Sequence, residues 1–385
     1  MDRRYVVIGA GAIGGVVGAR LHRAGHRVVL VARGDQRAAL RQHGLTVHGP
    51  AASETVRIPV VAGPEELELR DGDVLLLAVK TQDSAAALAA WAGRPVAAGG
   101  RAADRLPLVC LQNGVENERL ALRHFRQVYG AMVVLPAEFL TPGQVRTWCG
   151  PRTGALVLGR YPGGADRTAR DIAADLNGSD FRVLVDEDVL RWKYGKLVGN
   201  LANAVDALCG RRPGAEAADL AARAKAEAVA VLDRSGIGYA AAAELAELRR
   251  GVVEEPPAAA GPGSTWQSLK RGGSAEVDYL NGEIVLLGRA CGVPTPVNEA
   301  LQALVNRWAR ERREPGSLAP AELARLIESE LIEPELIEPE LIGSELIGSE
   351  LIGSELLGSE AIRSEPAGTE QTGSAAAPAE QVGAR

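Results

Sequence analysis

Short apolar runs alternate with helical segments through the first half of the chain. Residues 5–8 are apolar and lead into a glycine-rich turn and an amphipathic segment that ends near Gly25, and residues 28–31 form a second apolar run. Later apolar runs at 73–79 and 108–112 flank another helical segment. Runs that are apolar at every position are typical of strands buried on both faces. The pattern therefore predicts a doubly wound parallel sheet with helices on both sides.

The pattern changes after residue 185, where strand-like runs give way to helical periodicity. The further strand candidates before this change are residues 131–135, 144–148, 155–158 and 182–185. The helical segments after it are residues 189–208, 215–235, 240–249, 274–290 and 297–312. This division predicts a Rossmann-type domain over residues 1–185 and an all-α domain over residues 186–313. The segment 255–263, rich in proline and glycine, predicts a loop close to whatever the cleft holds.

A five-residue repeat, of which LIGSE is the clearest copy, begins at Leu326. A period of five matches neither the 3.6-residue helical turn nor the two-residue alternation of a strand, so no single apolar face results. From Glu314 onward the chain has 15 acidic and 3 basic residues. This composition predicts an acidic, disordered tail over residues 314–385, whose partner the sequence leaves unknown. A five-residue β-helix is disfavoured because it would have few turns and no capping segments at its ends.

A glycine pattern between the first apolar run and the first helical segment is typical of dinucleotide binding. Gly9 permits a tight turn, Gly11 lets backbone amides approach a pyrophosphate, and Gly14 lets the helix and strand pack closely. With Ala12 and Ile13, these residues form a predicted phosphate loop at the N-terminus of a helix.

The residue that ends the second strand distinguishes between the two nicotinamide dinucleotides. An acid at this position would bind the ribose 2′-hydroxyl of NAD, whereas an arginine can pair with a 2′-phosphate. Arg33 occupies the position in this chain. The sequence therefore predicts NADP(H) as the cofactor.

Composition argues against several functional classes. Of the 385 residues, 43 are basic and 49 are acidic, for a net charge of −6. The basic residues form no dense run and the few aromatic residues no stacking pattern, so no nucleic-acid partner is expected. The absence of a long apolar stretch and of an export leader predicts no membrane span and a cytoplasmic protein. The four cysteines are isolated, so neither a metal site nor a disulfide framework is expected.

Lysine is rare, which makes each lysine a candidate for chemistry. Only five of the 43 basic residues are lysines, and a partly desolvated lysine can release a proton near neutral pH whereas an arginine cannot. Lys196, Asn200 and Asn203 lie at i, i+4 and i+7 on one face of a predicted helix. Polar groups in an otherwise apolar helix either line a cleft or cap neighbouring backbone. All five histidines lie before residue 125, which leaves lysine as the natural proton donor in the helical half.

These motifs, taken in order over residues 4–312, resemble the ketopantoate reductase (2-dehydropantoate 2-reductase) family. The matching pieces are the glycine loop, Arg33, residues 78–80, residues 112–114, Lys196 with Leu197 and Asn200, Ser264, residues 276–282 and residues 292–298. The resemblance implies a Rossmann-type domain, a helical domain and a cleft between them in which NADPH reduces a small-molecule 2-keto acid.

The resemblance also implies two catalytic residues. Lys196 would be the general acid, and Glu276 the acid that binds the substrate hydroxyl. A hydride that reaches a carbonyl carbon creates an alkoxide, which a nearby ammonium can stabilise and protonate. A neighbouring carboxylate would hold that lysine charged and orient it.

Five further residues acquire binding roles from the same resemblance. Ser264 would contact the substrate carboxylate or hydroxyl, and Asn200 and Asn203 would contact the substrate from the helical face. Lys80 and Asn113 would lie near the nicotinamide and its ribose.

Two positions depart from the family pattern, and they leave the substrate open. Ala204 and Gly261 stand where the family often has an amide side chain. Another branched 2-keto acid is therefore an alternative to ketopantoate. A non-catalytic NADP-binding sensor acting through its tail is disfavoured, because it would have no chemical need for the lysine, amide, serine and carboxylate together. The sequence does not fix the oligomeric state, for which a homodimer is one alternative.

Overall fold

The computed structural model describes residues 3–210, 214–252 and 263–332, with every strand before residue 186. The strands are β1 (Arg4–Ile8), β2 (Arg27–Val31), β3 (Leu45–His48), β4 (Ser53–Val56), β5 (Val60–Val61), β6 (Asp73–Leu77), β7 (Leu108–Cys110), β8 (Val128–Val134), β9 (Ala137–Thr141), β10 (Gln144–Thr147), β11 (Gly154–Arg160) and β12 (Phe181–Val185). The α-helices are α1 (Ala12–Arg23), α2 (Gly34–His43), α3 (Thr81–Ala92), α4 (Ala102–Arg105), α5 (Glu116–Leu122), α6 (Arg167–Gly178), α7 (Val189–Asn200), α8 (Ala202–Cys209), α9 (Ala215–Arg234), α10 (Ala242–Arg249), α11 (Ser264–Lys270), α12 (Asn281–Cys291), α13 (Pro296–Glu311) and α14 (Pro320–Ile332).

The main sheet has eight strands in the order β5-β2-β1-β6-β7-β8-β11-β12. Its central strands are buried on both faces, and separate apolar clusters cover the two sides. From β1 the chain first builds the sheet in one direction through β2 and β5, and then crosses to β6 on the other side. Ligands of such sheets bind beyond the carboxyl ends of the strands at this reversal point. The predicted α/β architecture with a helical region after it is confirmed.

Two features differ from a purely parallel sheet. Strand β11 pairs with β8 in the antiparallel direction. The strand predicted at 144–148 joins a second, four-stranded sheet of order β4-β3-β10-β9. In this sheet β9 and β10 form a hairpin at Gly143, which has φ +82°. Strands β3 and β10 alternate buried and more exposed positions because the small sheet is covered on one face only.

The helical region has its own apolar core, which includes Leu197, Leu208, Leu301 and Trp308. The long helix predicted over residues 189–208 is two helices, α7 and α8, which meet at Leu201. The helix predicted from residue 274 begins only at Asn281, after a short 3₁₀ turn. Helix α11 was not predicted.

The prediction of a disordered tail from residue 314 onward is wrong for residues 320–332, which form helix α14. Leu318, Leu323 and Ile327 are fully buried or nearly so, in the same core as Trp308. Leu323 and Ile327 are four residues apart and therefore share a helical face, so the first copy of the five-residue repeat can still be helical. The repeat after residue 332 and the predicted loop segment 255–262 lie outside the described residues.

Candidate active site

The glycine loop joins the buried strand β1 to the N-terminus of α1. Gly9 has φ +108°, and a β-carbon there would lie 2.7 Å from the backbone nitrogen of Val79. A β-carbon on Gly14 would lie 2.1 Å from the carbonyl oxygen of Gly9, whereas one on Gly11 would meet nothing within 4 Å. Gly9 and Gly14 therefore allow close packing, and Gly11 leaves open space in front of the helix N-terminus. That space has the geometry of an anion site.

A cavity of about 630 Å³ lies between this loop and the helical region. It brings together ten of the residues singled out in the sequence. Those from the sheet region are Gly11, Ala12, Ile13, Lys80 and Asn113, and those from the helical region are Lys196, Asn200, Asn203, Ser264 and Glu276. Gly9, Gly14 and Arg33 are not among the lining residues.

Lys196 projects from α7 into the cavity and is held by two oxygens of the sheet region. Its Nζ donates to Asn113 Oδ1 at 2.7 Å and to the carbonyl oxygen of Val133. Burial lowers the pKa of the Lys196 ammonium to about 7, with a smaller contribution from the positive charges of Arg249 and Lys193 and an opposing one from Glu276. The lysine can therefore lose or gain a proton near neutral pH.

The amides of Asn200 and Asn203 follow Lys196 on the cavity side. Asn200 Nδ2 is buried without a hydrogen-bond partner among the described residues. Asn203 lies against Gly263, where a β-carbon would come within 2.8 Å of its Oδ1. A buried donor without a partner is costly unless a ligand supplies an acceptor. Asn200 is therefore suited to contact a bound molecule.

Glu276 lines the cavity but is held by the sheet region rather than by the lysine. Its Oε1 accepts hydrogen bonds from the backbone nitrogen of Thr81 at 3.0 Å and from the Thr81 hydroxyl at 2.9 Å. Asn117 Nδ2 in turn donates to the Thr81 hydroxyl at 2.9 Å. The expectation that a carboxylate orients the lysine is thus not met in this arrangement, because Asn113 and the Val133 carbonyl orient it.

Lys80 reaches across to the helical region from the end of β6. Its Nζ donates to Ser268 Oγ and to the carbonyl oxygen of Ser274, both at 3.0 Å. Burial lowers the pKa of Lys80, against the raising effect of Glu276. Lys193 is structural by contrast: it is 2% exposed and pairs with the fully buried Glu118.

Arg33 lies outside the cavity, at the residue before α2. Its side chain is exposed and makes no hydrogen bond or ion pair with the residues that the structure describes. Its neighbour Arg37 instead pairs with Glu66 at 2.7 Å. Arg33 follows β2, which is adjacent to β1, so its guanidinium is available near the glycine loop.

The described residues contain no cluster of His, Cys, Asp or Glu arranged to hold a metal ion. No helix among them combines the length and apolar character that a membrane crossing requires.

Comparison with known proteins assigns the family. The model described as ketopantoate reductase PanE/ApbA matches residues 5–163, and the model of the C-terminal part of the same family matches residues 188–309. The chain belongs to the ketopantoate reductase family. It is 31% identical over 309 residues to the 2-dehydropantoate 2-reductase of Archaeoglobus fulgidus, a match that covers 79% of this chain and 97% of that protein.

Solved structures of the ketopantoate reductase family share this fold. A PanE/ApbA family ketopantoate reductase from Ralstonia eutropha has a TM-score of 0.68 at 29% identity, covering 80% of this chain and 99% of the other. D-mandelate dehydrogenase, in a ternary structure with NADH and anilino(oxo)acetate, has a TM-score of 0.69 at 22% identity, with the same coverage. The second likeness shows a common fold.

The structure also reveals cavity residues of this ketopantoate reductase family member that sequence reasoning missed. Arg249, Arg271, Gln112 and Asp206 all line the cavity. Burial lowers the pKa of Arg271, with an opposing contribution from Glu138. Both arginines are among many in an arginine-rich chain, so composition carried no signal for them. Gln112 precedes Asn113 in a segment that the sequence had indicated.

Proposed function

We propose that this protein reduces 2-dehydropantoate to pantoate with NADPH, and that Lys196 is the general acid. The observation that carries the proposal is the Lys196 ammonium, whose pKa is near 7, in a cavity that also contains a glycine loop of dinucleotide-binding geometry. Family membership supports reduction of a keto acid as the reaction class.

The cofactor site would be built mainly from backbone. The open space at Gly11 and the N-terminus of α1 fit a pyrophosphate, and Arg33 would pair with the 2′-phosphate that distinguishes NADPH from NADH. When bound, the nicotinamide would supply a hydride to the carbonyl carbon of the substrate. Lys80 and Asn113 line the adjacent part of the cavity.

Lys196 would complete the reaction from the helical side. As the carbonyl oxygen gains negative charge, the ammonium stabilises it and transfers a proton to it, which leaves a neutral amine. Asn113 and the Val133 carbonyl fix the position of the amine for this step. A pKa near 7 allows the amine to recover its proton from solvent at neutral pH.

The remaining predicted residues would bind the substrate. Glu276, held by Thr81, would accept a hydrogen bond from the substrate hydroxyl. Asn200, Asn203 and Ser264 would donate to its oxygens. On this proposal residues 1–185 bind the cofactor and the helices that follow bind the substrate, with α14 included in the helical part.

A related 2-keto acid is the second candidate. Ala204 and Gly261 lack the amides that the family often has among its substrate contacts. D-mandelate dehydrogenase, a protein of the same fold, was solved with NADH and anilino(oxo)acetate. The active-site chemistry proposed above applies equally to such a substrate.

An assay with paired substrates and cofactors tests both candidates. Purified protein is mixed with NADPH or NADH and with ketopantoate, 2-ketoisovalerate or pyruvate, and loss of reduced nicotinamide absorbance gives kcat/KM. We expect the highest value with NADPH and ketopantoate; a higher value with another 2-keto acid would favour the second candidate.

Arg33→Gln should raise the KM for NADPH by about tenfold, because one charge-assisted contact is lost, with little effect on the KM for NADH. Arg41→Gln, on the exposed side of α2, is the matched control.

A further inference from the structure

Arg249, the last residue of α10, brings a cation without a partner into the active-site cavity. Its side chain lines the cavity together with Lys196 and Asn200. Within the described part of the chain its guanidinium makes no hydrogen bond and no ion pair, although its carbonyl oxygen accepts from the backbone nitrogen of Val252. The next residue, Arg250, pairs instead with Glu247 at 2.8 Å and is not among the lining residues.

None of the charged groups that the structure describes around Lys196 forms an ion pair with Arg249. Lys193, on α7 itself, is paired with Glu118. Glu276 accepts from Thr81, and Asp206 of α8 lines the cavity. Strand β8, packed against α7, contributes only its Val133 carbonyl to the lysine. Of the charged neighbours that lower the pKa of Lys196, Arg249 has the larger effect and Lys193 the smaller.

Two donors that have no acceptor among the described residues therefore line the same cavity. One is the Arg249 guanidinium, and the other is the buried Nδ2 of Asn200. A guanidinium and an amide together match a group with two acceptor oxygens and a negative charge, which is the chemistry of a carboxylate. A 2-keto acid carries this group next to the carbonyl that Lys196 would protonate.

We propose that Arg249, together with Asn200, binds the carboxylate of the 2-keto acid, and that this pairing offsets the repulsion between Arg249 and Lys196. The inference rests on the function proposed above and extends it to the residue that selects for an acid. In the free protein the guanidinium disfavours the ammonium form of Lys196. A bound carboxylate cancels that effect, so Lys196 is protonated when a substrate is present to receive the proton.

The test compares an acid with its amide in three proteins. The probes are 2-ketoisovalerate and 2-ketoisovaleramide, which have the same carbon skeleton and differ in charge. The variants are Arg249→Gln and the control Arg250→Gln, which removes a neighbouring guanidinium outside the cavity. In Arg249→Gln the KM for the acid should rise about tenfold or more, while kcat/KM for the amide stays within about twofold of the parent value or increases. Arg250→Gln should match the parent with both probes.

The pH profile separates this role from a merely structural one. In the parent protein kcat/KM for the amide should fall as the pH rises past the pKa of Lys196 in the free enzyme. Because Arg249→Gln removes a positive charge, the falling limb should move to higher pH; Arg249→Lys should leave it near the parent position. Equal losses for acid and amide, or an unmoved limb, would overturn the proposal.

Calorimetry distinguishes failure of the inference from failure of the proposed function. Binding of 2-ketoisovalerate is measured in the presence of NADP⁺, without turnover. If the parent reduces no 2-keto acid but binds this acid about tenfold more tightly than Arg249→Gln, the proposed reaction is wrong and the carboxylate site stands. If the parent and Arg249→Gln bind the acid equally, the carboxylate site is wrong whatever the reaction.

Discussion

The two walls of the cavity are built in different ways. The sheet wall presents much backbone, namely the glycine loop, the N-terminus of α1 and the Val133 carbonyl, besides the side chains of Lys80 and Asn113. The helical wall presents side chains from separate segments, among them Lys196, Glu276 and Arg249. A backbone site is specified by a few adjacent residues, whereas a side-chain site depends on the packing of helices far apart in sequence. The first can be recognised locally and the second only once the helices are assembled.

Removing α14 should affect the helical wall most strongly. A chain that ends at Arg313 loses Leu318, Leu323 and Ile327 from the core, and each buried leucine or isoleucine contributes about 2–5 kcal/mol, against a total stability of about 5–15 kcal/mol. We expect this chain to lose its cooperative thermal transition in circular dichroism and to be inactive. A chain that ends at Ile332 is the control and should melt like the full chain. Equal melting of both chains would mean that α14 adds little to the core.

Lys196→Met should separate catalysis from cofactor binding. The variant loses the ammonium while the sheet wall is unchanged, so kcat should fall at least about a hundredfold, the usual scale for a lost general acid. The Kd for NADPH, measured by fluorescence, should change little. Lys225→Met, on α9 and outside the cavity, is the matched control. Near-normal turnover by Lys196→Met would exclude the lysine as the acid.

A pair of glycine substitutions should separate folding from binding in the sheet wall. In Gly14→Ala the new β-carbon would lie 2.1 Å from the Gly9 carbonyl oxygen, and overpacking of this kind costs about 1–3 kcal/mol. Gly14→Ala should therefore lower both the melting temperature and the NADPH affinity. Gly11→Ala meets nothing within 4 Å, so its melting temperature should stay at the parent value while the affinity falls. A similar loss of stability in both variants would contradict the assignment of open space at Gly11.

The prediction least connected with the cavity concerns Glu283, buried near the start of α12. Burial raises the pKa of its carboxyl from 4.5 to about 7, and Oε1 has no hydrogen-bond partner among the described residues. Between these two pH values the folded state keeps a proton that the unfolded state releases, so the free energy of unfolding should fall as the pH rises through this window.

Glu283→Gln should remove this pH dependence. It should exceed the parent in free energy of unfolding by about 3 kcal/mol at pH 8 and match it near pH 4, as measured by urea unfolding. Glu311→Gln, on the surface at the end of α13, is the control. A parent protein whose stability is flat between pH 4.5 and 7 would show that this carboxyl titrates normally.

The sequence predicted the fold and the position of the glycine loop well because these depend on local patterns. Uniformly apolar strands identified the main sheet, and the spacing of Gly9, Gly11 and Gly14 identified the loop. Lys196 and Asn200 could be paired in advance because they are four residues apart on a helix. The contact of Lys196 with Asn113, 83 residues away, follows only from tertiary packing.

The same limit explains what the sequence missed. Arg249 has no local motif, and only the position of α10 beside α7 brings it to the cavity. Helix α14 was hidden because its last residues already belong to the five-residue repeat, whose period obscures the single helical face that Leu323 and Ile327 share. The break at Leu201 follows Gly199 and Asn200, two residues of low helix propensity, but the apolar spacing of the segment continues across it.

Three consecutive residues after β6 connect the two walls by hydrogen bonds. Lys80, Thr81 and Gln82 all donate hydrogen bonds to the segment 268–276, at distances between 2.9 and 3.4 Å. Any movement that widened the entrance for a nucleotide would have to rotate about these hydrogen bonds or break them. An opening that kept these hydrogen bonds intact would therefore widen the cleft on the side away from residues 80–82.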